Sequence, residues 1–343
     1  MKRTFIYLSI LFSAVLTVEA RTVELTLCPA KAPGLVHRHS LLPKAEEQID
    51  SDAYPLYQKA IQSLPQNYDR GKIDRWRNMP LKDLPIEDVK SVLQKLNPSL
   101  QLLRQASLCK KCNFPAVKSG RAKDKLMKDL SKYRQFAFVL AVQARLQIAG
   151  NQYDEATDTI RTGFAMARHL GDTAVLVQGL TGVATAALMC GQIEQFIQAP
   201  DTPSLYWGLQ SLPSPLVDLN KTIELETSSL RNYDKNPLVR RELENKLKPA
   251  HERARLVMKR FDRDVTALQC VEAIRLYAGS HNGELPNELG DVSEVHIPNN
   301  PATQKPFVYR RTDNEAVLEG PDPEGTPSAK VLRYELKVRE PGR

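Results

Sequence analysis

YDEATDTIRTGFAMARHL, residues 153–170, is the stretch that most clearly decides the fold of this 343-residue chain. Its apolar side chains recur at steps of three and four residues, and this spacing places them on one face of an α-helix. The members of this stripe are Tyr153, Ala156, Ile160, Phe164, Ala167 and Leu170. Gly163 lacks a side chain, which would let a second helix approach closely. We therefore predict a helix whose apolar face is buried against its neighbours.

Similar patterns before and after this helix extend the prediction to residues 133–197. Apolar residues line a preceding helix up to a turn at residues 149–151, and residues 173–190 are nearly all apolar or small. We expect Asp172 to cap this third helix. We expect Gly191 to turn the chain into a short fourth helix. The region is thus predicted to form two consecutive helical hairpins.

The third of these helices is apolar enough to be considered as a membrane span. Its large aliphatic side chains together favour insertion by about 3 kcal/mol; they are Val175, Leu176, Val177, Leu180, Val183 and Leu188. Gln178, several threonines and two glycines oppose insertion, and no aromatic belt flanks the helix. We favour a buried central helix and predict no transmembrane span after removal of the N-terminal signal.

The first twenty residues have the three parts of an export signal. Two basic residues supply the positive start, residues 5–18 are mostly apolar, and Val18 and Ala20 occupy the third and first positions before the cleavage point. The apolar run of about thirteen residues is shorter than the ~20 that cross a bilayer as a helix. We predict a signal peptide over residues 1–20 and an exported protein of the periplasm or cell envelope, with a retained anchor as the alternative.

Composition divides the rest of the chain into three parts. Residues 21–51 are rich in proline, histidine and polar side chains and predict an extended lead-in. Residues 52–261 predict an α-helical, repeat-like domain, and residues 262–343 predict a small α+β domain. The overall composition is that of a helix-rich chain with few aromatic residues.

Capping residues and prolines mark the expected helix boundaries of the repeat-like domain. Asp52 can cap a first helix that runs to Leu64, and a loop follows through Pro85. Pro85 suits the opening of the next helix. Pro98 is expected to break that helix, and Pro249 to interrupt a charged helix further on.

One helix and three strands are expected in the last part of the chain. Apolar residues at three-residue steps predict the helix, namely Val265, Leu268, Val271 and Ile274. The strand-like segments are residues 307–310, 316–319 and 331–338, with a turn at residues 313–314. The predicted fold class is therefore mainly α: a helical-hairpin, repeat-like body followed by a small α+β domain with one helix packed on a short antiparallel sheet.

Two regions resemble known families. GNQYDEA, residues 150–156, resembles the turn and second-helix start of a tetratricopeptide repeat, so the helical region is described as tetratricopeptide-like. In the C-terminal part, GELP at residues 283–286, KPFVYR at 305–310 and GPD at 320–322 fall in the order found in the globular half of type II secretion pseudopilins. The whole chain is similar to a group of exported bacterial proteins with the same order of parts, and this similarity implies no activity.

The pseudopilin resemblance implies a fold but not the assembly of that family. Pseudopilins carry an apolar membrane helix immediately before the globular half, where this chain has the heavily charged residues 240–263. We therefore expect that the chain does not pack in a pilus by the mechanism of that family. The calcium site of the family would have only Asp322 and Glu324 as nearby carboxylates, which do not make a full oxygen cage.

Cys109-Lys110-Lys111-Cys112 is the sharpest local motif. Three alternatives are open: a disulfide between Cys109 and Cys112, free thiols, or a metal site. A zinc site would need two more ligands that no second paired motif supplies. Haem attachment would need a histidine where Asn113 stands. We assign no metal and no cofactor to this motif.

No other pattern in the chain predicts catalysis. No serine lies in a G-x-S-x-G setting, and no glycine-rich phosphate loop occurs. His251 lacks the second histidine of a helical zinc hydrolase, and His169 falls in the last turn of its helix, which suits a dipole or capping role. We assign no catalytic residue.

Basic residues are concentrated between residues 104 and 134. This segment carries ten basic and two acidic residues, so its net charge of +8 equals that of the entire chain. Two interpretations are open, a solvated helix face and a surface for an anionic partner. The candidate residues are Lys118, Arg121, Lys123, Lys125, Lys128 and Lys132. Nucleic acid is not predicted as a partner, because an exported protein is separated from cytosolic nucleic acid. In addition, Phe114 and Tyr133 are the only aromatic residues of this segment that could stack on bases.

The sequence favours a non-enzymatic function. We expect an exported scaffold or protein-binding protein of the cell envelope, in which the helical hairpins present the surface and the basic segment orients a protein partner. The alternative is an envelope hydrolase or a redox or metal protein that uses Cys109 and Cys112.

Overall fold

The computed structural model describes residues 21–32, 34, 39–65, 67–117, 120–233, 237–324, 326 and 330–339. Within these ranges the chain is mainly helical and has a small mixed sheet. The helices are α1 (Tyr54–Gln62), α2 (Arg70–Asn78), α3 (Ile86–Ser107), α4 (Gly120–Ala149), α5 (Tyr153–Gly171), α6 (Leu176–Ile197), α7 (Tyr206–Gln210), α8 (Leu219–Tyr233) and α9 (Pro237–Ser280). The strands are β1 (Arg21–Leu27), β2 (Ile49–Asp52), β3 (Cys109–Lys111), β4 (Val308–Thr312), β5 (Glu315–Gly320) and β6 (Leu332–Val338). The predicted signal peptide lies outside the described residues.

The apolar stripe of α5 is buried as the sequence predicts. Ile160 and Phe164 are fully buried, and α5 packs against α3, α4 and α6. A Cβ atom added at Gly163 would overlap the side chain of Met189 on α6. The missing side chain of Gly163 therefore allows the close approach of α5 and α6 that the sequence predicted.

Helix α6 differs from its prediction in length. The expected turn at Gly191 is wrong, because α6 continues to Ile197 with Met189, Ile193 and Phe196 all fully buried. Uninterrupted packing of this face outweighs the roughly 1 kcal/mol that a glycine costs inside a helix. The expected cap is also wrong: Asp172 pairs with Lys221 at 2.7 Å instead.

Helix α6 is long and apolar enough to cross a membrane by length and composition alone, among the helices of the described ranges. In the structure, 67% of its most apolar window is buried. It packs against α4, α5, α8 and α9. These contacts are the environment that we expected for a central helix.

The region before α3 contains a helix where a loop was expected. Residues 70–78 form α2, whose N-terminus is capped by Asp69 accepting a hydrogen bond from the Lys72 backbone N–H at 3.1 Å. Ile73 and Trp76, three residues apart, are its buried side chains. The predicted break at Pro98 is wrong too, since α3 continues through it. Burial of Leu96, Leu100 and Leu103 around that proline holds the helix together.

The sheet is mixed where an antiparallel sheet was expected. Its strand order is β1-β6-β5-β4, and β4, β5 and β6 form the three predicted antiparallel strands. Strand β1 pairs in parallel with β6, with Arg21 opposite Leu332 and Leu27 opposite Val338. The extended lead-in thus supplies an edge strand of the C-terminal sheet. A separate pair, β2 and β3, is also parallel.

Helix α9 joins parts of the chain that were expected to be separate. It runs from Pro237 to Ser280 without a break at Pro249 and passes through the expected domain boundary at residues 261–262. Its second half is almost completely buried and packs against α6, α7 and β5. Helix α9 therefore connects the helical body to the sheet.

Candidate functional site

The Cys109–Cys112 motif lies in and just after β3. Both cysteines are free thiols, and each is 4% exposed. The Cys109 sulfur lies 3.3 Å from the Ser51 hydroxyl and 3.7 Å from the Gln105 carbonyl oxygen. The motif is thus part of the packed junction between β2 and the end of α3.

The environment of Cys112 disfavours thiolate chemistry. Burial raises the pKa of Cys112 well above its ordinary value, and the nearby Asp52 and Cys109 add to this effect. Because the thiolate is the nucleophile and the metal ligand, a raised pKa makes Cys112 inert at neutral pH. Within the described part of the chain, no group of three or more histidine, cysteine or acidic side chains is placed to hold a metal ion.

His169 has a packing role rather than the capping role expected for it. Its Nε2 atom donates to the Cys109 carbonyl oxygen at 2.9 Å, so Nδ1 of the neutral ring accepts from the Tyr57 hydroxyl at 2.8 Å. Burial lowers the pKa of His169 to about 4, although its hydrogen bond to Cys109 opposes this shift. His169 therefore links α1, α5 and β3 as an uncharged group.

The aromatic side chains of this region are also occupied. Tyr57 and Tyr133 pack edge to face with ring centroids 5.5 Å apart, and Phe114 packs on Tyr133 at 6.1 Å. Tyr133 is 1% exposed. The two rings considered for base stacking thus contribute to the core.

The predicted basic surface divides over two sides of α4. With 3.6 residues per turn, steps of four, three and four place four cations on one side; we call this the basic stripe, and it consists of Arg121, Lys125, Lys128 and Lys132. Lys123 lies on the opposite side of the helix. Lys118 lies outside the described residues.

The members of the basic stripe differ in their contacts. Lys125 contacts Asp129 at 2.5 Å and Gln58 on α1 at 2.8 Å, so its charge is partly neutralised. Arg121 and Lys128 are exposed, Lys132 is half-buried, and none of the three has a described carboxylate within 4.0 Å. The stripe therefore presents uncompensated positive charge to solvent over about 16 Å of helix.

The carboxylates considered for a calcium site are already paired. Asp322 accepts from Arg260 at 2.6 Å and from Arg263 at 2.9 Å, and it also accepts from the Lys330 backbone N–H. Glu324 lies 3.4 Å from Lys305. Two guanidinium groups on Asp322 leave it no free charge for a cation, so these residues bind protein cations instead.

A cleft of about 390 Å³ lies between β1, α4, α6 and the end of α2. Three arginines line it, Arg21, Arg77 and Arg145, together with the amides of Asn78, Gln192 and Gln195. Its remaining lining residues are small or apolar, and no acidic residue is among them. Arg21 pairs with Glu194 and Arg77 with Asp74, so Arg145 supplies the uncompensated charge of a cleft whose volume suits a small anion.

Sequence reasoning missed this cleft because its arginines come from three separate elements. Arg21, Arg77 and Arg145 are more than fifty residues apart from one another. The one local signal is Arg145 itself, which stands inside the apolar stretch AVQARLQIA of residues 141–149. A charged residue at a buried position of a helix indicates a special role.

Comparisons of the chain with protein-family models, with curated proteins and with solved structures each find no match.

Proposed function

We propose that the chain is an exported, non-enzymatic scaffold of the cell envelope that binds an acidic protein partner through the basic stripe. The observation that carries this proposal is the uncompensated charge of Arg121, Lys128 and Lys132 on one side of a long helix. Complementary charge steers association and fixes the orientation of the partner. The tetratricopeptide-like helices α5 and α6, which pack against α4, would form the rigid support of this surface.

The export signal supports the cellular place of this function. With a signal peptide over residues 1–20, the stripe would face envelope proteins rather than cytosolic nucleic acid. Fractionation of cells that express the full chain tests this part of the proposal. We expect the protein in the periplasmic or envelope fraction with a mature N-terminus at Arg21. Recovery of uncleaved protein from the cytosol would contradict it.

The alternative, an envelope hydrolase or redox or metal protein, gains no support from Cys109 and Cys112. Both thiols are buried, and the pKa of Cys112 is raised by that burial. Thiol counting and metal analysis of the purified protein test this alternative directly. Five reactive thiols only after denaturation, with no bound metal, would agree with the scaffold. A bound metal ion would favour the alternative.

Neutralising the stripe tests the binding function. The variant Arg121→Gln/Lys128→Gln/Lys132→Gln removes three charges from one side of α4. The matched control Lys82→Gln/Lys95→Gln/Lys123→Gln removes three charges from lysines outside the stripe. Both proteins, and the wild type, are used to capture partners from envelope extracts by chemical crosslinking.

We expect a discrete acidic protein to be captured by the wild type and by the control but not by the stripe variant. Capture should weaken at about 0.5 M salt, since surface charges are then screened within a few ångströms. Equal capture by all three proteins would overturn the proposal. Binding of the wild type to anionic lipid vesicles, with no protein captured, would overturn it in favour of a membrane surface.

A further inference from the structure

The buried polar atoms without partners are concentrated in the arginine cleft. In the described residues, five buried side-chain nitrogen or oxygen atoms have no hydrogen-bond partner. Three of them, the Nε atoms of Arg77 and Arg145 and the Oε1 atom of Gln192, belong to residues that line this one cleft. Buried polar groups are ordinarily paired, so such a concentration indicates an external partner.

Arg145 is the buried arginine among the three that line the cleft. It is 4% exposed, and its Nη2 atom donates to the Met79 carbonyl oxygen. No carboxylate of the described chain lies within 4.0 Å of its guanidinium. Burial lowers the pKa of Arg145 with no acidic neighbour to oppose the shift. A buried charge without a counter-charge is costly, and a bound anion would remove that cost.

The other two arginines are held in place by the chain. Arg77 is anchored to Asp74 at 2.6 Å and lies over the Phe138 ring at 4.3 Å, which leaves its Nε–H without an acceptor. Arg21 is held by both carboxylate oxygens of Glu194 at 2.6 Å. The cleft is thus built from fixed guanidinium groups whose positions do not depend on a ligand.

Gln192 adds a requirement of the opposite kind. Its amide Nε2 donates to the Leu188 carbonyl oxygen at 3.1 Å, which fixes the amide and leaves Oε1 as a buried acceptor. A ligand that satisfies the cleft therefore needs two properties. It must accept hydrogen bonds from two guanidinium groups, and it must donate one hydrogen bond from a neighbouring atom.

We propose that this cleft binds a small carboxylate whose neighbouring atom carries an N–H or O–H group. The carboxylate would accept from Arg145 and Arg77, and the adjacent donor would bond to Gln192 Oε1. Such a group occurs in free hydroxy and amino acids and at the C-terminus of a peptide. This site is independent of the proposed scaffold function, because Arg145 lies about 20 Å along α4 from Lys132, the nearest member of the basic stripe.

Calorimetric titration of the full chain tests the proposal with three small probes. N-acetylglycine carries a carboxylate and an adjacent N–H, acetate carries only the carboxylate, and N-acetylglycinamide has no charge. We expect N-acetylglycine to bind more tightly than acetate and the amide not to bind. No binding of either carboxylate at about 10 mM, a weaker interaction than most specific sites show, would overturn the proposal. So would binding of inorganic phosphate without binding of a carboxylate.

Two variants locate the binding. Arg145→Gln should lower the affinity for N-acetylglycine by about tenfold or more, as expected for loss of a charge-assisted hydrogen bond. Gln192→Leu should reduce the affinity for N-acetylglycine to that for acetate and leave acetate unchanged, which tests the site even where Arg145→Gln fails to fold. Lys95→Gln, an exposed control, should change neither affinity. Unchanged N-acetylglycine binding in both cleft variants would place the binding elsewhere and overturn the proposal.

A second pair of titrations distinguishes the sources of the carboxylate. Malate represents a free hydroxy acid, and a tetrapeptide with a free C-terminus, compared with its C-terminal amide, represents a chain end. Preference for malate assigns the site to a small metabolite. Preference for the free tetrapeptide over its amide assigns it to a peptide terminus. Each result upholds the carboxylate site, whereas equal binding of the free and amidated tetrapeptides with no binding of malate would overturn it.

Discussion

Arg275 on α9 and Arg145 on α4 are buried to nearly the same extent, 0% and 4% exposed, but their surroundings differ. Arg275 donates to Glu272 at 2.9 Å, to the Cys28 carbonyl oxygen at 2.8 Å and to the Thr202 hydroxyl at 2.8 Å. Arg145 has the Met79 carbonyl oxygen and no carboxylate. The chain itself therefore supplies a counter-charge for Arg275 but not for Arg145.

This difference separates a structural role from a binding role. The bonds of Arg275 join α9 to the segment after β1 and to the loop after α6, so one buried charge holds three distant parts of the chain. Asp322 likewise joins the loop before β6 to α9, because it accepts hydrogen bonds from Arg260 and Arg263. Removing one partner of such a buried ion pair destabilises the fold, whereas a buried charge that has no partner destabilises the fold as long as it stays unpaired.

Glu272→Gln is expected to give the largest loss of stability, because it leaves Arg275 charged and without a counter-charge. Removing one partner of a buried pair typically lowers the free energy of unfolding by about 3–5 kcal/mol. Urea unfolding at pH 7 measures this loss. The matched control is Glu252→Gln, an exposed carboxylate on the same helix, which should change stability by less than about 0.5 kcal/mol. Equal effects of the two variants would show that the pair of Arg275 and Glu272 does not stabilise the fold.

His169 represents a third way of burying a titratable group, since the chain keeps it neutral. Its pKa is about 4 when folded, against 6.5 in the ordinary state. Between these two values the unfolded chain binds a proton that the folded chain does not, so stability falls as the pH falls from about 6.5 to 4. The neutral His169 ring therefore accounts for a loss of about 3 kcal/mol in the free energy of unfolding over this pH range.

The variant His169→Gln should therefore show a smaller loss of stability on acidification than the wild type. The free energy of unfolding, measured in urea at pH 7, 6, 5 and 4, checks this slope. His296→Gln, at an exposed histidine, serves as the control. If His169→Gln and the wild type lost stability in parallel, the neutral hydrogen-bonded ring would be the wrong description.

Asp262 on α9 should change stability in the opposite direction. Burial raises its pKa to about 7 from 3.8, with Asp218 adding to the shift and a hydrogen bond from the Leu216 backbone opposing it. The folded chain then holds a proton that the unfolded chain releases, so stability falls as the pH rises from about 4 to 7. We expect this loss of stability to be about 2 kcal/mol, because Asp262 keeps some contact with solvent, which weakens the effect of burial.

In the wild type the two effects oppose each other between pH 4 and 7, and single variants separate them. Asp262→Asn should become more stable relative to the wild type as the pH rises through this range. Asp124→Asn, at an exposed position of α4, is the control. The same urea titrations measure both. A constant difference between Asp262→Asn and the wild type at every pH would contradict a raised pKa.

The parts of the fold that follow local periodicity could be predicted from the sequence. The stripe of α5 and the three strands β4, β5 and β6 repeat apolar residues at steps that only one kind of element satisfies. The turn at Asp313, whose φ of 49° is left-handed, follows from a residue type that tolerates that conformation.

The parts decided by distant contacts could not be predicted in this way. Leu25 and Leu27 of β1 are buried where β1 pairs with β6, some three hundred residues later, and contacts α6. The signals at Pro98 and Gly191 are local and favour helix ends, and packing on both sides of each residue outweighs them. The CxxC motif was judged by its spacing, but burial is what makes Cys112 unreactive.

The same limit applies to the candidate sites. The basic stripe could be found from sequence, because its members recur at helical spacing on one element. The arginine cleft could not, because its charge comes from β1, α2 and α4 and its acceptor from α6. Spacing along one helix is visible in a sequence, and the absence of a carboxylate beside Arg145 is visible only in three dimensions.

Arg145→Met provides the smallest and most discriminating test of the comparison. Replacing an uncompensated buried charge by an apolar side chain of similar length should raise the free energy of unfolding by about 1 kcal/mol in the absence of ligand. This corresponds to a rise in Tm of about 2 °C for a chain of this size. Arg275→Met, the matched change at the completed site, should lower Tm, since it leaves Glu272 buried without its partner. Scanning calorimetry of both variants measures the two shifts. Opposite signs are expected if the chain itself satisfies only one of the two arginines, whereas a fall in Tm for both would mean that Arg145 is a structural residue like Arg275.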